Sequence, residues 1–174
     1  QALIITVVLS IIVCTVAIIF AEPFLKLAGS QSDTHETAVT YFRIIMGGLI
    51  FNVVSLVINA AQRGCGNTKI AMRTNLASNV VNIIFNYLLI GGKFGFPALG
   101  VAGAAIATVL GTIVAFFMSI YSISHSDGFL YIKYFKKSFN LDKSALKSLF
   151  SVGSSSFIEQ IFIRTGFLLY SLII

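Results

Sequence analysis

Apolar positions fill this chain in long runs, and polar positions gather between them in short clusters. The first run extends from about Ala2 to Phe20 and stops before Ala21-Glu22-Pro23, where proline prevents a helix from being extended from that side. A polar stretch from Gly29 to Thr37 leads into a second run, Ala38 to Ala61, with Arg43 as its one formal charge. A loop with two glycines, Gln62 to Arg73, precedes a third run from Thr74 to about Gly92. By helical rise that third run reaches roughly 28 Å, one hydrocarbon thickness. After the turn Lys93-Phe94-Gly95-Phe96-Pro97, a fourth run covers about Leu99 to Ile123. The one long polar stretch, Ser124 to Lys147, separates it from a fifth run that starts near Leu149. Such lengths predict membrane-crossing helices, four complete and part of a fifth, since a barrel strand needs only about 10 residues.

Composition agrees with that pattern. Hydrophobic residues make up 57% and charged residues 10%, with a mean hydropathy of +0.94. A soluble domain carries about 25% charged residues. So few charges cannot screen so much apolar surface from water, and the bilayer becomes the solvent. The expected fold class is an all-α integral membrane protein, a polytopic transmembrane helix bundle. The first run lacks a basic n-region and a small-residue cleavage site, so it reads as a span and not as a signal peptide. The apolar runs reach Gln1 and Ile174 without a break, and both ends are expected to be truncation points of a longer protein.

The formal net charge of +6 would suit nucleic acid in a soluble protein, but here it belongs to loops. No nucleic-acid partner is expected. Arg63, Lys69 and Arg73 share one connection, and Lys133, Lys136, Lys137, Lys143 and Lys147 share another. The alternate connections hold Lys26 and Lys93, with Arg43 at a helix start. The bias places loops 62–73 and 124–148 in the cytoplasm and the chain in the plasma membrane as a multi-pass protein. Within 124–148, Asn140 or Asp142 can cap a short helix with Leu141, Ala145, Leu146 and Leu149 on one face and Lys143 and Lys147 on the other. That segment reads as an amphipathic connector on anionic headgroups. Residues 1–123 then form one group of helices, and 149–174 open a second. Cys14 lies in a span and Cys65 in a loop, which disfavours a disulfide, and His35 and His125 lack companions for a metal site.

The polar residues inside the spans carry the candidate chemistry. Asn75, Asn79, Asn82 and Asn86 recur at helical spacing along the third run, and Asn52, Ser55, Asn59 and Gln62 do so along the second. Amides facing lipid are costly, so both stripes must look at protein or water. Two facing stripes can be interhelical glue, or they can line a solvated path for solute and ions. The midplane pair Asn82 and Asn86 favours the path. In the fourth run, Gly100, Gly103, Ala104, Ala107, Thr108, Gly111 and Ala115 form a small-residue surface suited to close helix packing. The fifth run holds Glu159, Gln160 and Arg164. An ion pair near the membrane surface and a functional role both fit them. No P-loop, His-Glu-x-x-His, nucleophile elbow or carboxylate pair occurs. An enzyme is not expected, no cofactor is implied, and any transport must use an ion gradient or run downhill.

Four segments also resemble one transporter family. Gln62-Arg63-Gly64-Cys65-Gly66-Asn67-Thr68-Lys69 resembles the "RGxGDTK" loop of the multidrug and toxic compound extrusion family. Asn79 to Ile90 is similar to its "NxxNxxxDYxLI" helix. Phe94 to Thr108 resembles its "FGxPxLGVxGAAxAT" turn, and Glu159-Gln160 with Arg164-Thr165-Gly166 its "EQxxxRxG" motif. The resemblance implies helices three to seven of a twelve-helix fold, with two bundles alternating access. It implies export of organic cations, drugs or other amphiphiles against inward Na⁺ or H⁺. The partners would be the lipid bilayer, a small-molecule substrate and the remaining helices of the full-length chain. It further implies a coupling carboxylate on helix one, outside this chain, and a helix-five position that is frequently Asp but is Asn86 here, which cannot titrate. Asn52, Asn59, Asn79, Asn82, Asn86, Glu159, Gln160 and Arg164 are the candidate pathway residues. Alternatives are a lipid-linked oligosaccharide flippase of the same superfamily and a non-transporting membrane scaffold.

Overall fold

Most interruptions of the helical ladder fall where proline or glycine dictates the local backbone. The computed structural model describes residues 2–27, 34–125 and 143–173, which form α-helices with no strand among them. Helix α1 spans Ala2–Ile19 and α2 spans Ala21–Leu27, with Phe20 as the single residue between. Pro23 closes α1 where the sequence suggests, since it has no N–H to give the Ile19 carbonyl. It sits in the first turn of α2, where a missing N–H leaves no intrahelical bond unmade.

Helix α3 covers His35–Gly64 and α4 covers Thr68–Ile90. The expected loop of residues 62–73 thus contracts to Cys65–Asn67, and Lys69 and Arg73 lie in the opening turns of α4. Gly66 explains the contraction. At φ 81 it takes the left-handed conformation that ends a helix within one residue. The Asn67 N–H then donates to the Gln62 carbonyl at 2.9 Å and the Gly66 N–H to the Arg63 carbonyl at 2.9 Å. After α4, Gly92 at φ 61 turns the chain so sharply that a Cβ there would lie 2.8 Å from the Ala98 nitrogen. A 3-10 turn, Lys93–Gly95, leads on to α5, Gly100–His125.

Helix α6 runs unbroken over Lys143–Ile173. Lys143 and Lys147, expected on a separate interfacial helix, belong to its first turns. Asn140, Leu141 and Asp142 lie outside the described residues, as does most of the proposed connector. The side chains of residues 147–167 are all exposed, so α6 does not pack into the bundle.

The order of packing differs from the order of the chain. Helix α1 lies on α3, α3 on α5, and α5 on α4, while α3 and α4 touch far less than either touches α5. Val54, Ile58 and Ile123 form the buried core of the α1–α3–α5 layer, with Leu3, Val7, Ile50, Phe116 and Ile120 around them. Phe51 and Phe116 meet edge to face at 5.3 Å between centroids. Elsewhere, apolar side chains such as Val8, Leu9, Phe117 and Phe162 stand exposed in quantity, which suits a lipid or helix-lined surrounding. Three helices, α1, α3 and residues Gly100–Ser124 of α5, are long and apolar enough to cross a membrane. The sequence leads one to expect four complete spans. Helix α4 is not among the three, because Lys69, Arg73 and its asparagines dilute its apolar residues.

Candidate functional site

Close approach of α4 and α5 builds the site. A Cβ on Gly103 would stand 2.6 Å from the Leu89 carbonyl oxygen, and one on Gly111 would stand 2.8 Å from the Ser78 carbonyl oxygen. Only hydrogen at these positions lets the two backbones meet. Gly103, Ala107, Gly111 and Ala115 are buried, in keeping with a packing surface. Ser78 Oγ donates to the Gly111 carbonyl at 2.8 Å and ties the helices across the gap.

At this seam, the four asparagines of α4 straddle the edge of the contact. Asn82 and Asn86 are half-buried, while Asn75 and Asn79 are exposed. Asn86 Nδ2 donates to Asn82 Oδ1 at 2.9 Å. Asn82 Nδ2 donates in turn to Thr108 Oγ1 at 3.1 Å, and Thr108 Oγ1 donates to the Ala104 carbonyl at 2.9 Å. The relay has a direction, since the donors run in sequence from Asn86 through Asn82 to Thr108 on α5. Its free end is Asn86 Oδ1, which is buried and has no hydrogen-bond partner. Leaving such an acceptor unmatched costs about 1–3 kcal/mol, and Thr74 Oγ1 on the same helix is likewise buried without a partner. Asn82 lies 14 residues, about 21 Å, along α4 from Thr68.

The stripe on α3 does not face the one on α4, contrary to the sequence reading, because α5 stands between them. Ser55 Oγ and Ser119 Oγ lie 2.9 Å apart. Asn59 Nδ2 donates to Ser55 Oγ at 3.4 Å, and Ser119 Oγ donates to Asn59 Oδ1 at 3.4 Å. Gln62 Nε2 donates to Ser122 Oγ at 2.9 Å. Asn59 is only 3% exposed, so this is a closed, satisfied network that joins α3 to α5. Asn52, at the other end of the stripe, is exposed and makes no side-chain hydrogen bond among the described residues. Asn79 is likewise exposed and unbonded.

Glu159, Gln160 and Arg164 stand exposed on α6, outside the α4–α5 seam. Glu159 and Arg164 do not pair. Five residues separate them, which sets them about 140° apart around the helix. The ion pair among the described residues is Arg43 with Glu22, at 3.1 Å. Sequence reasoning missed the α5 hydroxyls as partners. Thr108, Thr112, Ser119 and Ser122 recur at helical spacing, and that stripe is the signal pointing to them.

The MatE family model matches residues 1–88. Among curated proteins, the probable multidrug resistance protein YoeA of Bacillus subtilis is 29% identical over 159 residues, covering 91% of this chain and 34% of the relative. The probable multidrug resistance protein NorM of Thermotoga maritima is 32% identical over 142 residues, covering 81% of this chain and 30% of the relative. The chain thus spans about a third of the length of these relatives. Among solved structures, an inward-facing multidrug resistance MATE family transporter of the MOP superfamily superposes with a TM-score of 0.77 at 24% identity, over 87% of this chain and 33% of that one. That likeness establishes the fold.

Proposed function

The chain belongs to the MatE family of multi-pass membrane transporters, and from that premise we propose that it is part of a cation-coupled exporter of organic cations, drugs or other amphiphiles. Family members are transporters and not enzymes. The full-length protein would work by alternating access, drawing on inward Na⁺ or H⁺. One observation carries the reading, the buried and unpartnered Asn86 Oδ1 at the free end of the Asn86–Asn82–Thr108 relay. A protonated amine, a water molecule or a Na⁺ supplies what that oxygen lacks. The relay is neutral throughout, so it orients a cation by dipoles and leaves the countercharge to a carboxylate elsewhere in the full-length chain. Weak, neutral ligation also suits a site that must release what it binds.

Everted vesicles containing the full-length protein test the proposal. A fluorescent organic cation such as ethidium should accumulate under a Na⁺ or pH gradient, without ATP, and stop when the gradient is collapsed. Absence of gradient-driven uptake for every amphiphilic cation tried would overturn it.

The orientation in the membrane is part of the same proposal. The turn at Cys65–Asn67, flanked by Arg63, Lys69 and Arg73, faces the cytoplasm, and the turn at Lys93–Gly95 faces outward. A single cysteine at Asn67, in a background lacking Cys14 and Cys65, should react with an impermeant thiol reagent only after cells are permeabilised. One at Phe94 should react in intact cells. The reverse pattern would invert the topology.

A further inference from the structure

Helix α4 carries a second pattern on the side turned away from α5. Lys69, Met72, Arg73, Leu76 and Ile83 recur at helical spacing and so share one face. Met72, Leu76 and Ile83 are 61–66% exposed, and Lys69 and Arg73 are exposed above them. Arg63, in the last turn of α3, is exposed on the other side of the short Cys65–Asn67 turn.

These three cations have no acidic partner among the described residues. Among the described residues the ion pair is Arg43 with Glu22, and Arg43 lies 20 residues, about 30 Å, along α3 from Arg63. The first turn of α4 holds no acidic residue. A helix start disfavours cations through its dipole, so propensity does not account for Lys69 there. Below the charges, Met72 to Ile83 rises about 17 Å, close to the roughly 15 Å of hydrocarbon in one leaflet. An anionic head above an apolar strip of one leaflet's depth has the proportions of a phospholipid.

We infer that this face of α4 holds an anionic phospholipid, with its phosphate against Arg63, Lys69 and Arg73 and an acyl chain along Met72, Leu76 and Ile83. Cations without an acidic partner among the described residues favour phosphatidylglycerol or cardiolipin over phosphatidylcholine, because no described carboxylate stands beside them to meet a choline ammonium. The inference rests on the chain spanning a bilayer and on this face of α4 meeting lipid in the full-length protein. It stands apart from the transport reading.

The test is native mass spectrometry of the full-length protein in detergent, titrated with phosphatidylglycerol or phosphatidylcholine. The wild type should retain phosphatidylglycerol in preference. Lys69→Gln and Arg73→Gln should each lower that preference about fivefold, at roughly one surface charge per step. The triple change that adds Arg63→Gln should abolish it. Lys69→Arg with Arg73→Lys, which keeps both charges, should retain it and shows that folding is not the cause. Equal retention of the two lipids by the wild type would overturn the inference. So would a preference untouched by the triple change, which puts the lipid elsewhere. Displacement of the lipid by millimolar inorganic phosphate would also overturn it, since the site would then read a free anion without needing the chain.

Discussion

Gly111→Val should sharply lower the thermal stability of the full-length protein. Its new Cβ would lie 2.8 Å from the Ser78 carbonyl oxygen, 3.3 Å from Ser78 Oγ and 3.4 Å from Asn82 Cβ. The nearest of these is backbone, which cannot rotate aside, so α5 must move off α4. That movement breaks the Ser78 bond to the Gly111 carbonyl and stretches the Asn82–Thr108 bond. Overpacking costs about 1–3 kcal/mol, and the lost interhelical bonds add roughly 0.6–2 kcal/mol. Gly103→Val should behave alike, because its Cβ meets the Leu89 carbonyl, which already accepts the Leu99 N–H at 2.9 Å. Gly47 has nothing within 4 Å. Gly47→Ala should therefore be neutral or mildly stabilising through helix propensity. Unfolding curves in detergent decide the matter, and a Gly111→Val protein melting with the wild type would show that the seam is looser than described.

Asn86→Ala should cut export while abundance stays near normal, and Asn82→Ala, which also breaks the α4–α5 bond to Thr108, should cut export by more than its loss of abundance. The asymmetry comes from the hydrogen bonds. Removing Asn86 loses its bond to Asn82 Oδ1 within α4 and an acceptor that has no partner, so no bond between helices is broken, whereas a cation loses its ligand. A hydrogen bond to a charged group contributes about 1.5–3 kcal/mol, a ten- to hundredfold effect on binding. Asn86→Asp should keep export and make it pH-dependent, with cation affinity rising as the carboxyl ionises. Asn59→Ala should do the opposite of Asn86→Ala. It opens a satisfied network between α3 and α5 and should lower stability by roughly 0.6–2 kcal/mol, with export following abundance. Paired measurement of yield and drug efflux separates the two patterns. Full efflux by both Asn82→Ala and Asn86→Ala at normal abundance would remove them from the pathway.

Helix identity was legible because apolar runs of membrane length admit few other structures, and the small-residue face of α5 was legible because close packing needs hydrogen or methyl at fixed spacing. Helix ends were less so. Pro23 marks the end of α1 to within a residue, but Gly64 and Gly66 suggest a long loop until the capping bonds of α3 are seen. The pairing of the polar stripes was not legible at all. Periodicity puts Asn59 and Asn82 each on a face but says nothing of which helix that face meets. Only the insertion of α5 between α3 and α4 separates Asn59, closed against Ser119, from Asn82, which is open toward Asn86. Glu159 and Arg164 mislead for a related reason, since proximity in sequence is not proximity around a helix.

The most direct test of the account is substrate protection at Asn86. In the full-length transporter stripped of other cysteines, Asn86→Cys should react with a small cationic thiosulfonate, and a transported cation should slow that reaction. Asn59→Cys, sealed between α3 and α5, should not react. A functioning transporter whose Asn86→Cys is unreactive, or reacts at the same rate with and without substrate, would contradict the claim that the relay opens onto the transport path.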